Sequence, residues 1–232
     1  MQNPKSRQRE IVLVLGKTGT GKSTYMMHHV AAERRVLILD PLGEYPGTEY
    51  EDVLDMLDDC VDRERFLART ESVLDLDDLA RIAFALKNVS LVVDEAQRSM
   101  PQSGRDLPPA VEDIIYRGRH ANVSLYLVAQ RPTTIHIAPR SQWSRIISFN
   151  QSEVSDISWI ESTSGYSLDR IRSLGIGEYI EITPSGHEIR RTKPFNLRSA
   201  ATDNGGPRTE ARERAQGKFT LFTMEREGGM EQ

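Results

Sequence analysis

Residues 16–24 read GKTGTGKST, directly after five aliphatic residues, IVLVL at 11–15. Gly16, Gly21, Lys22 and Ser23 occupy the defined places of the pattern G-x-x-x-x-G-K-[ST]. In such a loop the backbone N–H groups surround phosphate oxygens, and the positive end of the following helix adds to the attraction. Gly16, Lys17, Thr18, Gly19, Thr20, Gly21, Lys22, Ser23 and Thr24 together would form the cradle. Lys22 puts a point charge on the β- and γ-phosphates, and the Ser23 hydroxyl is a ligand for Mg²⁺. The ligand implied is a nucleoside triphosphate with its magnesium ion. Kinases, switch GTPases and motors share this loop, so the reaction must be read from the remaining residues.

LVVDEAQ at 91–97 supplies the next groups. An acid at the end of a buried strand can hold Mg²⁺ through water, a place that suits Asp94. Glu95 beside it can polarise a water in line with the γ-phosphate. A kinase needs its acceptor hydroxyl there, and a switch GTPase usually relies on a glutamine elsewhere. The chain also lacks an Asn-Lys-x-Asp guanine signature. The pair therefore favours hydrolysis of ATP. Gln130 closes the following strand, where a neutral amide can meet the γ-phosphate or the attacking water. Arg117 and Arg119, in YRGRH at 116–120, leave a helix just before that strand, at the edge of the site. Either could reach a neighbouring subunit's site and stabilise transition-state charge, or simply occupy a solvated face.

These groups need elements to hold them. Continuous apolar runs predict buried strands at 11–15, 36–39, 90–93, 123–129 and 145–149, with a further edge strand at 66–68. Helices are expected at 22–32, 110–119, 152–162 and 167–174, and the acidic segments 51–59 and 75–81 flank short ones. Residues 177–192 alternate about a Pro-Ser-Gly turn and read as a hairpin. Buried strands alternating with helices imply an α/β fold, three layers about a mainly parallel sheet, closed by that C-terminal β-hairpin. Ligands of such sheets lie at the carboxyl ends of the strands. Gly16, Asp40, Asp94, Glu95 and Gln130 end four of them and are expected to converge. The domain expected is 10–198, preceded by a loose 1–9 and followed by a charged, flexible tail at 199–232.

The 232 residues are 38% hydrophobic and carry a formal net charge of −4. A global basic field is absent, so contact with a polyanion would have to be local. The loop 98–109 offers Arg98 and Arg105, and the segment 131–145 offers Arg131, Arg140 and Arg145. The single cysteine, Cys60, excludes an internal disulfide and fits a reducing compartment. No leader-like stretch is present and no apolar run approaches ~20 residues, so a soluble, cytoplasmic protein without a membrane segment is expected.

Four segments in order, GKTGTGKST, LILDPLGEYPG at 37–47, VVDEAQ and IIYRGRHANVSLYLVAQRP at 114–132, resemble the FtsK–HerA ATPases over about 10–195. That family comprises RecA-like, additional-strand, catalytic-glutamate P-loop ATPases, typically hexameric rings that drive double-stranded DNA through a central pore. The resemblance implies Asp94 as the Mg²⁺ acid, Glu95 as the base, Gln130 as the sensor, and Arg119 or Arg117 as the trans-acting finger. The chain has no room for the barrel domain of HerA or the membrane segments of FtsK. In size it is similar to the genome-packaging ATPases of membrane-containing icosahedral viruses, which implies double-stranded DNA, a homo-oligomeric ring and a capsid portal or vertex protein as partners, in host cytoplasm or virion. A HerA-type cellular or mobile-element motor stands as the alternative, and from another class a small-molecule kinase or an ATP-gated scaffold.

Overall fold

The structure, a computed structural model, describes residues 9–195; the expected tail at 199–232, and all but Arg9 of the expected N-terminal segment, lie outside the described residues. Its elements run β1 (Ile11–Leu15), α1 (Lys22–Ala32), β2 (Arg35–Leu39), β3 (Thr48–Glu49), α2 (Val53–Cys60), β4 (Phe66–Thr70), α3 (Leu76–Leu86) and β5 (Ser90–Val93). They continue with α4 (Ala96–Ser99), α5 (Pro109–Ala121), β6 (Ser124–Ala129), α6 (Ile137–Ser141), β7 (Arg145–Ser148), α7 (Val154–Ser164), β8 (Glu178–Thr183) and β9 (Gly186–Arg191). One sheet takes them in the order β3-β4-β2-β5-β6-β1-β7-β8-β9, parallel from β3 to β7 and antiparallel in the closing hairpin. The three-layer α/β expectation and the hairpin are both borne out.

The order places β6 between β5 and β1, and so makes β2, β5, β6 and β1 consecutive neighbours. Their carboxyl ends carry Asp40, Asp94 with Glu95, Gln130 and Gly16, side by side along one edge. Alternate residues of β1 show why these strands read as unbroken apolar runs. Ile11, Leu13 and Leu15 enter one core, with Leu79, Ile82, Ile114 and Ile115 of α3 and α5. Val12 and Val14 enter the other, with Met26 and Val30 of α1. Both faces are covered, so neither can show polar residues.

Two expectations need correcting. The strand expected at 66–68 is the five-residue β4, and the short β3 lies outside it as the edge. The helix expected at 167–174 is a turn followed by one 3-10 turn at Ile171–Ser173. Gly165, at φ 75°, ends α7, and the Glu161 carboxylate accepts the Leu168 N–H at 2.8 Å. The Glu161 side chain thus ties the Leu168 N–H back to the end of α7, and the segment turns there rather than forming a full helix.

Phe149, just past β7, is fully buried and packs against Tyr25 and Tyr179 at ring separations of 6.1 and 5.4 Å. It also floors the glycine loop after β1, since a Cβ on Gly16 would lie 2.6 Å from the Phe149 Cβ. Phe149→Ala should cost ~3–5 kcal/mol, the usual range for an aromatic truncated in a core. Urea unfolding would read that loss.

Candidate nucleotide site

The glycine loop is shaped by its backbone. Gly16, Gly19 and Gly21 adopt φ of 153°, 76° and 112°. Gly21 backs onto the hairpin, where an added Cβ would stand 3.1 Å from the Gly177 Cα. Gly19, at the crown, has nothing within 4 Å of an added Cβ, so the loop opens toward solvent there. The loop's base is fastened by Gly16 N–H donating to Ala129 O, Lys17 N–H to Asn150 O and Gly177 N–H to Thr20 O. Lys22 opens α1, is buried, and donates from Nζ to Lys17 O at 3.0 Å. Burial pushes its pKa down, against the attraction of Glu95, Asp94 and Glu44. A largely dry ammonium held against the backbone of this open glycine loop fits a phosphate group.

Asp94 follows β5 and is 4% exposed. Its Oδ1 accepts the Glu95 N–H at 2.9 Å. Burial drives its pKa up to about 6; the Glu95 N–H opposes the rise, and the charges of Glu95, Asp40 and Glu44 add to it. A buried carboxylate among other carboxylates wants a cation. Among the described residues no cluster of three or more His, Cys, Asp or Glu could hold a metal alone. Mg²⁺ keeps most of its waters and binds by one or two protein groups plus phosphate oxygens, so it needs no such cluster. Ser23 and Asp94 fit such a role. Glu95 sits in the left-handed region at φ 45° and accepts a hydrogen bond from the Gln97 side chain. A non-glycine residue keeps this backbone conformation only where the surroundings enforce it.

Gln130 is exposed at the bend after β6. Two contacts set its place. The Gln151 amide, itself buried, donates to Gln130 O at 3.3 Å. Arg131, the next residue, donates from Nε to the fully buried Asp156 of α7 at 2.8 Å and from Nη2 to Ser155 at 3.3 Å. Thr133 adds a hydroxyl to the same carboxylate. Sequence reading offered Arg131 as a free cation; the structure engages it in this strap, although half its side chain stays exposed.

The remaining arginines divide between the two ends of the sheet. Arg98 on α4 and Arg105 in the following loop are exposed, and the loop follows the carboxyl end of β5. His136, after β6, meets Arg105 O at 3.1 Å, so the two segments adjoin. Arg140 is half-buried and lies over the Trp159 ring at 5.4 Å. Arg145 was expected near the nucleotide and is not there. It opens β7, so it stands at the amino edge, held by Glu10 at 2.7 Å and Glu181 at 3.1 Å. Arg117 and Arg119 also need moving. They occupy the last turns of α5, which delivers the chain to the amino end of β6, opposite the glycine loop of their own chain. Both are exposed; Arg117 meets Asp113 at 3.5 Å.

Sequence reading missed three contributors. Phe149 and Gly177 support the loop from behind, and Tyr45 packs under Asp94. A resemblance over 37–47 pointed to the Tyr45 segment without giving the residue a task.

No protein-family model and no curated protein sequence matches the chain. Solved structures do. The genome packaging NTPase B204 from Sulfolobus turreted icosahedral virus 2, in complex with AMPPCP, superposes at a TM-score of 0.65 and 20% identity, over 84% of this chain and 100% of that one. The pCW3 conjugation coupling protein TcpA with ATPgS gives 0.57 and 13%, over 92% and 65%. The cytoplasmic domain of the Thermomonospora curvata type VII secretion ATPase EccC gives 0.55 and 14%, over 80% and 24%. The chain thus has the P-loop NTPase fold of these proteins.

The site is costly when empty. Asp94 has a folded pKa near 6 against ~3.9 unfolded, so it costs nothing below pH ~4 and its full penalty above pH ~6. About two pKa units set a ceiling of ~3 kcal/mol. Asp94→Asn keeps the acceptor for the Glu95 N–H and should melt higher than wild type at pH 7.5 without ligand or metal. The two curves should converge by pH 4 in a scanning calorimeter.

Proposed function

We propose that this chain is an ATP-hydrolysing motor of FtsK–HerA type that translocates double-stranded DNA, with genome packaging as its role. The observation that carries the hydrolytic part is the alignment of Gly16, Gln130, Asp94 with Glu95, and Asp40 on four consecutive strands, which puts a carboxylate and an amide beside an open phosphate cradle. The likeness to a genome packaging NTPase over all of that protein's length supports the role. The likeness to a conjugation coupling protein favours a second reading, a mobile-element DNA motor.

In this reading the loop and Lys22 grip the triphosphate of ATP. Mg²⁺, held by the Ser23 hydroxyl and through water by Asp94, would neutralise charge on the β- and γ-phosphates. Glu95 accepts the proton of the attacking water, and Gln130 orients that water against the γ-phosphate. Gln130 is tied through Arg131 to α7, so a change at the phosphate is felt by that helix. The exposed Arg117 and Arg119 lie at the opposite end from their own site, so a role at a nucleotide could only be as a finger for the next subunit of a ring, for which we take six members. Arg98 and Arg105, both exposed on the nucleotide side, are the cations we assign to DNA, and a capsid portal or vertex would be the partner. A small-molecule kinase would leave Glu95 without work, since its acceptor hydroxyl would occupy that place. Among the described residues no helix is long and apolar enough to cross a membrane.

Glu95→Gln keeps the shape of the side chain and cannot take a proton. It should bind ATP normally and lose ~10²–10⁴-fold in turnover, the usual worth of a general base. Near-normal hydrolysis would remove Glu95 from the reaction. Arg98→Ala/Arg105→Ala should flatten the logarithmic salt dependence of duplex-DNA binding by about one unit per lost phosphate contact and abolish DNA stimulation of the ATPase. Unchanged DNA affinity and stimulation would place the DNA contact elsewhere.

A further inference from the structure

Tyr45 lies in the turn PLGEYPG, where an aromatic residue would ordinarily be read as exposed. Instead it is 4% exposed and packs with Val12, Val14, Met26 and Val92 beneath the site. Asp40 arranges this. Fully buried at the end of β2, it accepts the Glu44 N–H at 3.0 Å on Oδ1 and the Tyr45 N–H at 2.9 Å on Oδ2. The turn closes over the carboxylate, and the ring of Tyr45 is thrown back under the sheet edge. Arg69 of β4 braces the turn from outside, 3.7 Å from Asp40 and paired with Glu49 and Glu71.

The buried hydroxyl is the unexplained part. The Tyr45 oxygen is sealed from solvent and no well-aligned hydrogen bond closes on it. The group it faces is the Asp94 carboxylate, which raises the tyrosine's pKa further after burial has done most of the work. Phenylalanine would fill the same space without stranding a polar atom, and a stranded polar atom destabilises. Asp94 follows β5, beside β2, and its N–H donates to Leu39 O at 3.0 Å, next to Asp40, whose carboxylate holds the Tyr45 N–H. One oxygen of Asp94 already takes the Glu95 N–H. A carboxylate with a single hydrogen bond can still turn about its side-chain torsions.

We propose that Tyr45 is a positioning residue for the magnesium site: its hydroxyl donates to the Asp94 carboxylate and fixes the orientation in which Asp94 receives a metal-bound water. This rests on Asp94 as the metal-side acid of the reading above. Groups that orient a metal's ligands typically change metal affinity 10–100-fold when removed. Tyr45 would not touch the nucleotide, so nucleotide affinity without metal should not depend on it.

The test uses the whole chain, a fluorescent non-hydrolysable ATP analogue and a magnesium chloride titration, read as binding rather than turnover. Wild type should bind the analogue more tightly as Mg²⁺ rises, with a defined midpoint. Tyr45→Phe should move that midpoint ~10-fold or more toward higher Mg²⁺, leave binding in EDTA unchanged, and leave the ligand-free protein at least as stable. Tyr45→Leu, which also removes the ring, separates packing from hydrogen bonding. A wild-type midpoint in Tyr45→Phe, with a shift only in Tyr45→Leu, would overturn the proposal and reduce Tyr45 to core packing. Binding by wild type that ignores Mg²⁺ altogether would instead remove the metal role of Asp94, and the proposal with it.

Discussion

The central strands of this sheet are apolar on both faces, and the layout of the site follows from that constraint. A strand covered by helices above and below has nowhere along its length to display a charged group without stranding it. Its ends are the only free positions. Polar residues therefore gather where β2, β5, β6 and β1 stop, and the adjacency of those strands turns four separate endings into one row. The glycine loop is the ending of β1, the Asp94–Glu95 pair that of β5, and Gln130 that of β6.

What holds the row steady is a second tier of buried contacts. Phe149 and Gly177 stand behind the loop, Gln151 and the Arg131–Asp156 strap behind Gln130, Asp40 and Tyr45 behind Asp94. None of them is among the groups we propose for the nucleotide and its metal. Each removes a freedom from a group that is. The arrangement is bought at the expense of stability, since Asp94 and Lys22 are both held in surroundings that disfavour their charge. A phosphate and a cation would relieve the two together.

Much of this was legible in the sequence, and the failures are instructive. Strands β1, β5 and helix α1 fall where the apolar runs and the loop pattern put them, because burial on both faces leaves an unbroken signal. The convergence of strand ends was legible too, given a parallel sheet. The order that inserts β6 between β5 and β1 was not legible, since nothing local to a strand says which neighbours it takes. Arg145, Arg117 and Arg119 were misplaced for a simpler reason. Residues that precede a parallel strand lie at its amino end, and proximity in sequence to a site-bearing strand was read as proximity to the site. Tyr45 and Asp156 were hidden differently. A tyrosine in a Pro/Gly turn and an aspartate at a helix start both look solvated, and only tertiary partners far along the chain bury them. The helix expected at 167–174 is a turn and one 3-10 turn, and the Glu161 carboxylate that holds its Leu168 N–H is a contact no propensity records.

The contact of Gly21 with Gly177 joins two backbones with no side chain between them, and the Gly177 N–H donates to Thr20 across the same junction at 2.9 Å. Side chains are the compliant parts of a protein, turning about soft torsions, whereas peptide planes are stiff. A junction of bare backbone has no side-chain torsion in it to yield. A displacement of the chain entering the hairpin would therefore meet the glycine loop through backbone alone.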